Sequence, residues 1–148
     1  MDLLAHHTFH VASYGVAGSY AAWLLQGLGA EVAHESALDA TGIGMLLAEA
    51  AARTDAPSFD AAPGATIITD VPVTDAAKLR LAEQSGSVRI IWLTPWGLDN
   101  EFEAAPSTDL CLQAAGGWMY AAGAVDREPL AAPGQVVHFI GGLFATVE

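Results

Sequence analysis

Short apolar segments alternate with segments of helical periodicity along the first two thirds of the chain. The strand-like segments lie at residues 10–14, 31–34, 66–69 and 88–93. The last of them is apolar on both faces, as strands buried inside a parallel sheet are. Because strands and helices alternate, the pattern predicts a Rossmann-like, doubly wound parallel sheet of the α/β class.

The first helix is predicted at residues 19–28, after a turn that Gly15 and Gly18 bracket. Its apolar side chains recur every three or four positions, and Gly29 follows as a typical residue at a helix end. The sequence therefore predicts a tight glycine turn between the first strand and the first helix.

Two later helices are marked by threonines at their N-cap positions. Thr41 precedes one segment of helical spacing, and Thr74 precedes another that runs to about residue 84 with Leu79 on its inner face. A threonine hydroxyl can accept a hydrogen bond from a free backbone N–H group in the first turn of a helix. We therefore expect both helices to begin directly after these residues.

The last third of the chain is less regular but still contains helical segments. A helix through residues 108–113 is expected to break at Gly116 and Gly117, and a final helix begins at Val136. Because no capping residue or basic last turn precedes Glu148, this helix is predicted to continue to the last residue.

Composition and charge exclude several classes of protein. With 148 residues and 53% hydrophobic content, the chain can form one domain with a core and is not disordered. Its formal net charge of -12, from five Lys and Arg against 17 Asp and Glu, argues against nucleic acid as a partner. The chain begins without the basic segment of a signal peptide and has no apolar run of about 20 residues, so no membrane partner is expected.

Cysteine and histidine usage predicts a cytoplasmic protein without a metal site. The single cysteine, Cys111, excludes an intramolecular disulfide and fits a reducing compartment. Its apolar neighbours predict a buried side chain. His6, His7 and His10 lie close together, yet no nearby cysteine or carboxylate completes a set of metal ligands.

Several short motifs follow one another in a distinctive order. They are Ala17-Gly18-Ser19-Tyr20 with Leu28-Gly29-Ala30-Glu31-Val32, Leu93-Thr94-Pro95-Trp96-Gly97, Thr108-Asp109-Leu110 with Leu112-Gln113-Ala114-Ala115-Gly116-Gly117, and Gly141-Gly142-Leu143. In this order and spacing they resemble the class III CoA-transferase family, the formyl-CoA and carnitine-CoA transferases, to which 2-methylacyl-CoA racemases are related. The resemblance implies that residues 1–148 form a single domain that is a fragment or a shortened relative of a longer family architecture.

The resemblance also implies ligands and partners. The family acts on CoA and acyl-CoA, which would be substrates here, with no cofactor bound permanently. Its members form interlocked homodimers, so a homo-oligomer or an assembly with a companion CoA-transferase subunit is expected. An apolar sheet edge left without its returning strands would favour the same association.

Candidate CoA contacts lie in three places. The turn Gly15-Val16-Ala17-Gly18 could present backbone N–H groups and a helix N-terminus to a phosphate, although a plain strand-to-helix turn explains the same residues. His34 stands where the family has a lysine, and Thr94 and Pro95 belong to the turn after the fourth strand. No arginine follows the third strand, where the family has one. The resemblance thus implies a CoA site that lacks two cationic contacts.

His138 stands at the family's nucleophile position. In the transferases, an aspartate there attacks the acyl-CoA, forms a mixed anhydride and then holds CoA as an enzyme thioester. Imidazole can attack an acyl group or exchange protons near neutral pH, but an acyl-imidazole cannot accept CoA as an aspartyl thioester does. His138 is therefore either a catalytic residue of changed chemistry or a helix residue with a local hydrogen bond.

Four aromatic residues either wall an apolar ligand pocket or belong to the core or to an interface. They are Trp92, Trp96, Trp118 and Tyr120.

Asp109 lies near the start of a predicted helix. It is expected to cap the helix and orient its loop rather than take part in catalysis.

Three functional hypotheses remain open. The chain acts on acyl-CoA as a CoA-transferase-like enzyme, or it is a non-catalytic domain or subunit of a CoA-transferase assembly. The third hypothesis is proton transfer of the acyl-CoA racemase type through His138.

Overall fold

The computed structural model describes residues 3–37, 52–53, 59 and 61–148. Within these residues, five strands form one parallel sheet in the order β3-β2-β1-β4-β5. This is the strand order of a Rossmann fold, so the predicted fold class is confirmed. The strands are β1 (Thr8–Ser13), β2 (Glu31–Ser36), β3 (Ala52–Arg53), β4 (Thr66–Thr69) and β5 (Arg89–Trp92).

Two of the described helices begin at a threonine that caps them. The side chain of Thr74 accepts the N–H of Ala77 at 3.2 Å, and that of Thr108 accepts the N–H of Cys111 at 3.3 Å. No helix in the described part of the chain is both long and apolar enough to cross a bilayer. The described helices are α1 (Val16–Gly27), α2 (Asp75–Gln84), α3 (Asp109–Ala115), α4 (Trp118–Ala121) and α5 (Val136–Ala145).

The sheet buries a hydrophobic core on each of its faces. On one face, Val11 and Ile68 pack with side chains of α1 and α5. On the other face, Ala12 and Ile67 pack with α2 and with Phe59. Neighbouring strand residues point to opposite faces, so β1 and β4 each supply both cores. The sheet is therefore doubly wound, as predicted.

Several predicted boundaries and orientations need correction. The helix predicted at residues 19–28 begins three residues earlier, at Val16, directly after Gly15. The final helix ends at Ala145 and does not continue to Glu148. Its last carbonyl groups accept the backbone N–H groups of Thr146 and Val147, which closes the helix without a capping glycine.

Burial differs from the prediction in α2 and in β5. Leu79 is 63% exposed, because α2 turns Ala77 and Leu81 toward the sheet instead. The β5 residues Ile90 and Ile91 are only half-buried, because β5 pairs with no described strand other than β4. The helix predicted after Thr41 lies outside the described residues.

Helix α5 packs directly against α1 through Gly142. A Cβ atom at this position would overlap the carbonyl oxygen of Ala17 and lie 3.2 Å from the ring of Tyr20. Beside this contact, the rings of Tyr20 and Phe139 meet nearly at right angles, with centroids 4.9 Å apart. The absence of a side chain at Gly142 therefore sets how closely the two helices approach.

We predict that Gly142→Ala lowers the free energy of unfolding by about 1–3 kcal/mol, because the added methyl group has no room between α1 and α5. Gly141→Ala is the matched control, since a Cβ there has no heavy atom within 4 Å. The control should be neutral or stabilising by up to about 1 kcal/mol, the helix preference of alanine over glycine. Urea denaturation measures both values, and equal effects of the two substitutions would contradict the prediction.

Candidate functional site

A cleft of about 350 Å³ opens at the carboxyl ends of β1 and β4. The chain leaves these neighbouring strands for opposite faces of the sheet, and ligands of doubly wound proteins bind at such a point. Most of the cleft wall is apolar, as in ligand pockets generally. The lining residues are Tyr14, Gly15, Ala17, Asp70, Pro72, Leu93, Thr94, Pro95, Leu112, Val137, His138 and Gly141.

The structure brings together five of the eight residues that the sequence singled out as candidate site residues. Gly15, Ala17, Thr94, Pro95 and His138 all line the cleft, although they come from three distant parts of the sequence. The other three do not line it, and all are buried. These three are Val16, Gly18 and His34.

The glycine turn between β1 and α1 is bound by the carboxylate of Asp70. The N–H groups of Tyr14 and Gly15 donate to this carboxylate at 2.5 and 3.2 Å, and that of Gly18 donates at 2.8 Å. Burial raises the pKa of the Asp70 carboxyl, although these backbone hydrogen bonds favour its charged form. That a phosphate contacts this turn stays a prediction, but the N–H groups in question already have a partner.

Sequence reasoning gave Asp70 no functional role. A usable signal exists, because Asp70 directly follows the buried strand β4 and therefore lies at the carboxyl edge of the sheet. Its partners are 52 to 56 residues away, so local patterns do not reveal the contact.

His34 belongs to a buried hydrogen-bonded network of hydroxyl groups. Its Nε2 lies 3.0 Å from the hydroxyl of Ser13, which is 2.9 Å from that of Ser19. The Ser19 hydroxyl is in turn 3.4 Å from that of Ser36. Burial lowers the pKa of His34 to about 4, so the imidazole is neutral at pH 7. This network joins β1, β2 and α1.

We predict that the protein loses stability as the pH falls from about 6.5 to about 4. In this range the unfolded chain binds a proton at His34 and the folded chain does not. Proton binding therefore stabilises the unfolded chain and lowers the free energy of unfolding by on the order of 3 kcal/mol. His34→Gln, whose amide can still reach Ser13, should remove this part of the pH dependence. Urea titrations at several pH values measure it, with His7→Gln as an exposed control. A His34→Gln variant with the wild-type pH profile would contradict the assignment.

His138 is paired with Asp109 across two helices. Its Nδ1 lies 3.2 Å from Oδ1 of Asp109, at the start of α3. The same oxygen accepts the N–H of Val137 at 3.0 Å, and the other carboxylate oxygen accepts the side-chain amide of Gln113. Gln113 is itself held by both backbone groups of Ala132, at 2.8 and 3.0 Å. Thr108 rather than Asp109 caps α3, so that part of the expectation is wrong. The Asp109 carboxylate instead joins α3 to the start of α5 and contacts the candidate catalytic residue.

The protonation of this pair follows from its hydrogen bonds. Burial acts to raise the pKa of the Asp109 carboxyl, but hydrogen bonds from Gln113, Val137 and His138 together hold it below its usual range. An ionised carboxylate can only accept hydrogen bonds, so Nδ1 of His138 must donate. In the neutral ring, Nε2 is then the nitrogen that can accept a proton.

The cysteine and the aromatic residues lie outside the cleft wall. The prediction that Cys111 is buried is wrong, because the outer face of α3 exposes it and Thr108 donates to its sulfur at 3.2 Å. Trp118 and Tyr120 are exposed on α4. The indole N–H groups of Trp92 and Trp96 donate to the backbone carbonyls of Val71 and Ala105. None of these four aromatic side chains lines the cleft.

Residues 80–148 match the sequence model of CoA-transferase family III. The matched segment begins within α2 and includes β5, α3, α4 and α5, and thus both members of the His138–Asp109 pair. The family resemblance of the sequence is thereby confirmed over these residues. No curated protein and no solved structure gives a significant match.

Among the residues that the structure describes, no three His, Cys, Asp or Glu side chains come together in a way that could hold a metal ion.

Proposed function

We propose that this chain is a CoA-transferase-like protein that binds acyl-CoA thioesters in the cleft between β1, β4 and α5. The observation that carries the proposal is the part of the sequence from which the residues of the cleft wall come. Seven of the wall's twelve described residues come from the segment that matches the model of CoA-transferase family III, namely Leu93, Thr94, Pro95, Leu112, Val137, His138 and Gly141.

The chemistry of the site differs from that of the transferases at one position. Their carboxylate nucleophile displaces the CoA thiolate to give an anhydride, and the returning thiolate then displaces the carboxylate product to give an enzyme thioester. If Nε2 of His138 attacked instead, it would take the acyl group and release CoA. No enzyme group would then hold the CoA for the second half of the reaction. We therefore infer that the wild-type cleft binds the thioester but does not complete CoA transfer.

We predict that His138→Asp gains CoA transfer from acetyl-CoA to a free carboxylic acid such as formate or propionate. The substitution supplies the missing carboxylate within the same cleft. Calorimetric titration of acetyl-CoA measures binding, and separation of the thioesters by chromatography measures transfer.

His138→Asn is the matched control for this experiment, because it has nearly the shape of aspartate but no nucleophilic carboxylate. Wild type and both variants should bind acetyl-CoA with dissociation constants within about tenfold of one another, a difference of 1.4 kcal/mol or less. Failure of all three proteins to bind would overturn the proposal and favour the non-catalytic hypothesis, in which the fold serves assembly.

Proton transfer is a second candidate function, and the His138–Asp109 pair favours it. A histidine that donates through Nδ1 to an ionised carboxylate has Nε2 free to remove a proton. The proton α to a thioester carbonyl is acidic enough to be a plausible substrate. Catalysis of this kind needs no enzyme thioester, so the absence of the family's aspartate does not prevent it.

For this second function, we predict deuterium incorporation at the α carbon of a 2-methylacyl-CoA in deuterated water. His138→Ala should abolish the exchange. Asp109→Asn should slow it by up to about 10⁴-fold, the loss seen when the carboxylate that orients a catalytic histidine is replaced by an amide. Mass spectrometry of the recovered thioester measures the exchange. Unchanged exchange in His138→Ala would exclude His138 as the base.

Assembly and location belong to the same proposal. We infer that the protein is cytoplasmic and associates with a second copy or with a companion CoA-transferase subunit. Helices α3, α4 and α5 of the matched segment expose large apolar side chains, which supports association. They are Leu110, Trp118, Tyr120, Leu143 and Phe144.

A further inference from the structure

Asp70 occupies the position at which a Rossmann fold usually holds a ligand phosphate. In nucleotide-binding proteins of this architecture, N–H groups of the turn after β1 and the N-terminus of the following helix bind the pyrophosphate. Here the turn has the same place in the sheet, between β1 and α1. Its N–H groups at Tyr14, Gly15 and Gly18 donate to the carboxylate of Asp70 instead.

The carboxylate lies close against the turn and takes up its N–H groups. A Cβ atom built on Gly18 would lie 3.1 Å from Oδ2 of Asp70, and one built on Gly15 would lie 3.4 Å from the same oxygen. Gly18 also lies against the side chain of Ser13. A phosphate could therefore use this turn only if the Asp70 side chain were displaced.

The described residues of the cleft wall include no cationic side chain that could bind a phosphate in place of these N–H groups. None of them is a lysine or an arginine. Most of the wall beyond the turn is apolar and includes Leu93, Leu112 and Val137. Such a surface suits an uncharged group, and the net charge of -12 further disfavours a phosphate.

We propose that Asp70 is a specificity-determining residue that closes the phosphate-binding turn from within. Resting on the proposed function, the proposal implies that a CoA thioester enters the cleft by its uncharged acyl and pantetheine end. The phosphates of CoA then stay outside the β1–α1 turn.

The first test uses inorganic pyrophosphate as the probe and does not depend on thioester binding. Asp70→Ala should bind pyrophosphate about ten- to a hundredfold more tightly than wild type, because the N–H groups of the turn can then donate to the anion. This gain in affinity corresponds to the free energy of a hydrogen bond to a charged group. Asp126→Ala is the matched control, because it removes the same charge from an exposed loop and should behave as wild type. Calorimetric titration gives the affinities, and circular dichroism checks the fold.

A second variant keeps this test decisive if Asp70→Ala does not fold. Asp70→Ser retains a hydroxyl that can accept one N–H bond from the turn, yet leaves room for the anion. Wild-type protein that binds pyrophosphate as tightly as the variants would overturn the proposal. A folded variant that gains no affinity would overturn it as well.

The second test compares acetyl-CoA with S-acetylpantetheine on the wild-type protein. Affinities within about tenfold, or 1.4 kcal/mol, would support entry by the uncharged end. Much tighter binding of acetyl-CoA would overturn that part of the proposal. If neither thioester binds, the proposed function fails, whereas the pyrophosphate titrations still decide whether Asp70 closes the turn.

Discussion

The cleft exists because the chain leaves β1 and β4 toward opposite faces of the sheet. β1 continues into α1, which packs on one core, and β4 leads to α2, which packs on the other. The carboxyl ends of the two strands are therefore not covered by either connection. Asp70 extends from the end of β4 to the turn that follows β1 and joins them. The turn, the two cores and the cleft all depend on the pairing of these two strands.

The charge of the molecule is distributed so that the cleft carries little of it. Among the lining residues that the structure describes, Asp70 and His138 are the only acidic or basic ones. Asp70 is bound to the turn, and His138 is bound to Asp109. A ligand in the cleft therefore meets mainly apolar surface, while the net charge of -12 repels distant anions to an extent that salt reduces. Affinity for a CoA thioester would have to come from contact inside the cleft rather than from long-range attraction.

Local signals predicted local structure well. β4 and α2 lie where the sequence placed them, because a β-branched run and the Thr74 cap act over a few residues. The face of α2 was predicted wrongly, since Leu79 and Leu81 are both apolar and only packing against the sheet selects one of them. Family motifs placed His138, but nothing in the sequence paired it with Asp109.

The two contacts that define the site could not be predicted from the sequence, because each joins residues that lie far apart in the chain. His138 and Asp109 are 29 residues apart, and Asp70 and Gly18 are 52 residues apart. The Asp70–Gly18 contact depends on the pairing of β1 with β4, and the His138–Asp109 contact depends on the packing of α5 beside α3. A carboxylate that satisfies backbone N–H groups also has no sequence motif, because any acidic residue at that edge of the sheet could do so.

The contact at Gly142 has a consequence for how the cleft can respond to a ligand. With no side chain between them, the backbones of α1 and α5 touch, so one helix cannot slide over the other without a steric clash. The turn before α1 and the imidazole on α5 therefore cannot be drawn together by a closer approach of these two helices. Selection among ligands then depends on the shape of the existing cleft rather than on closure of α5 onto α1.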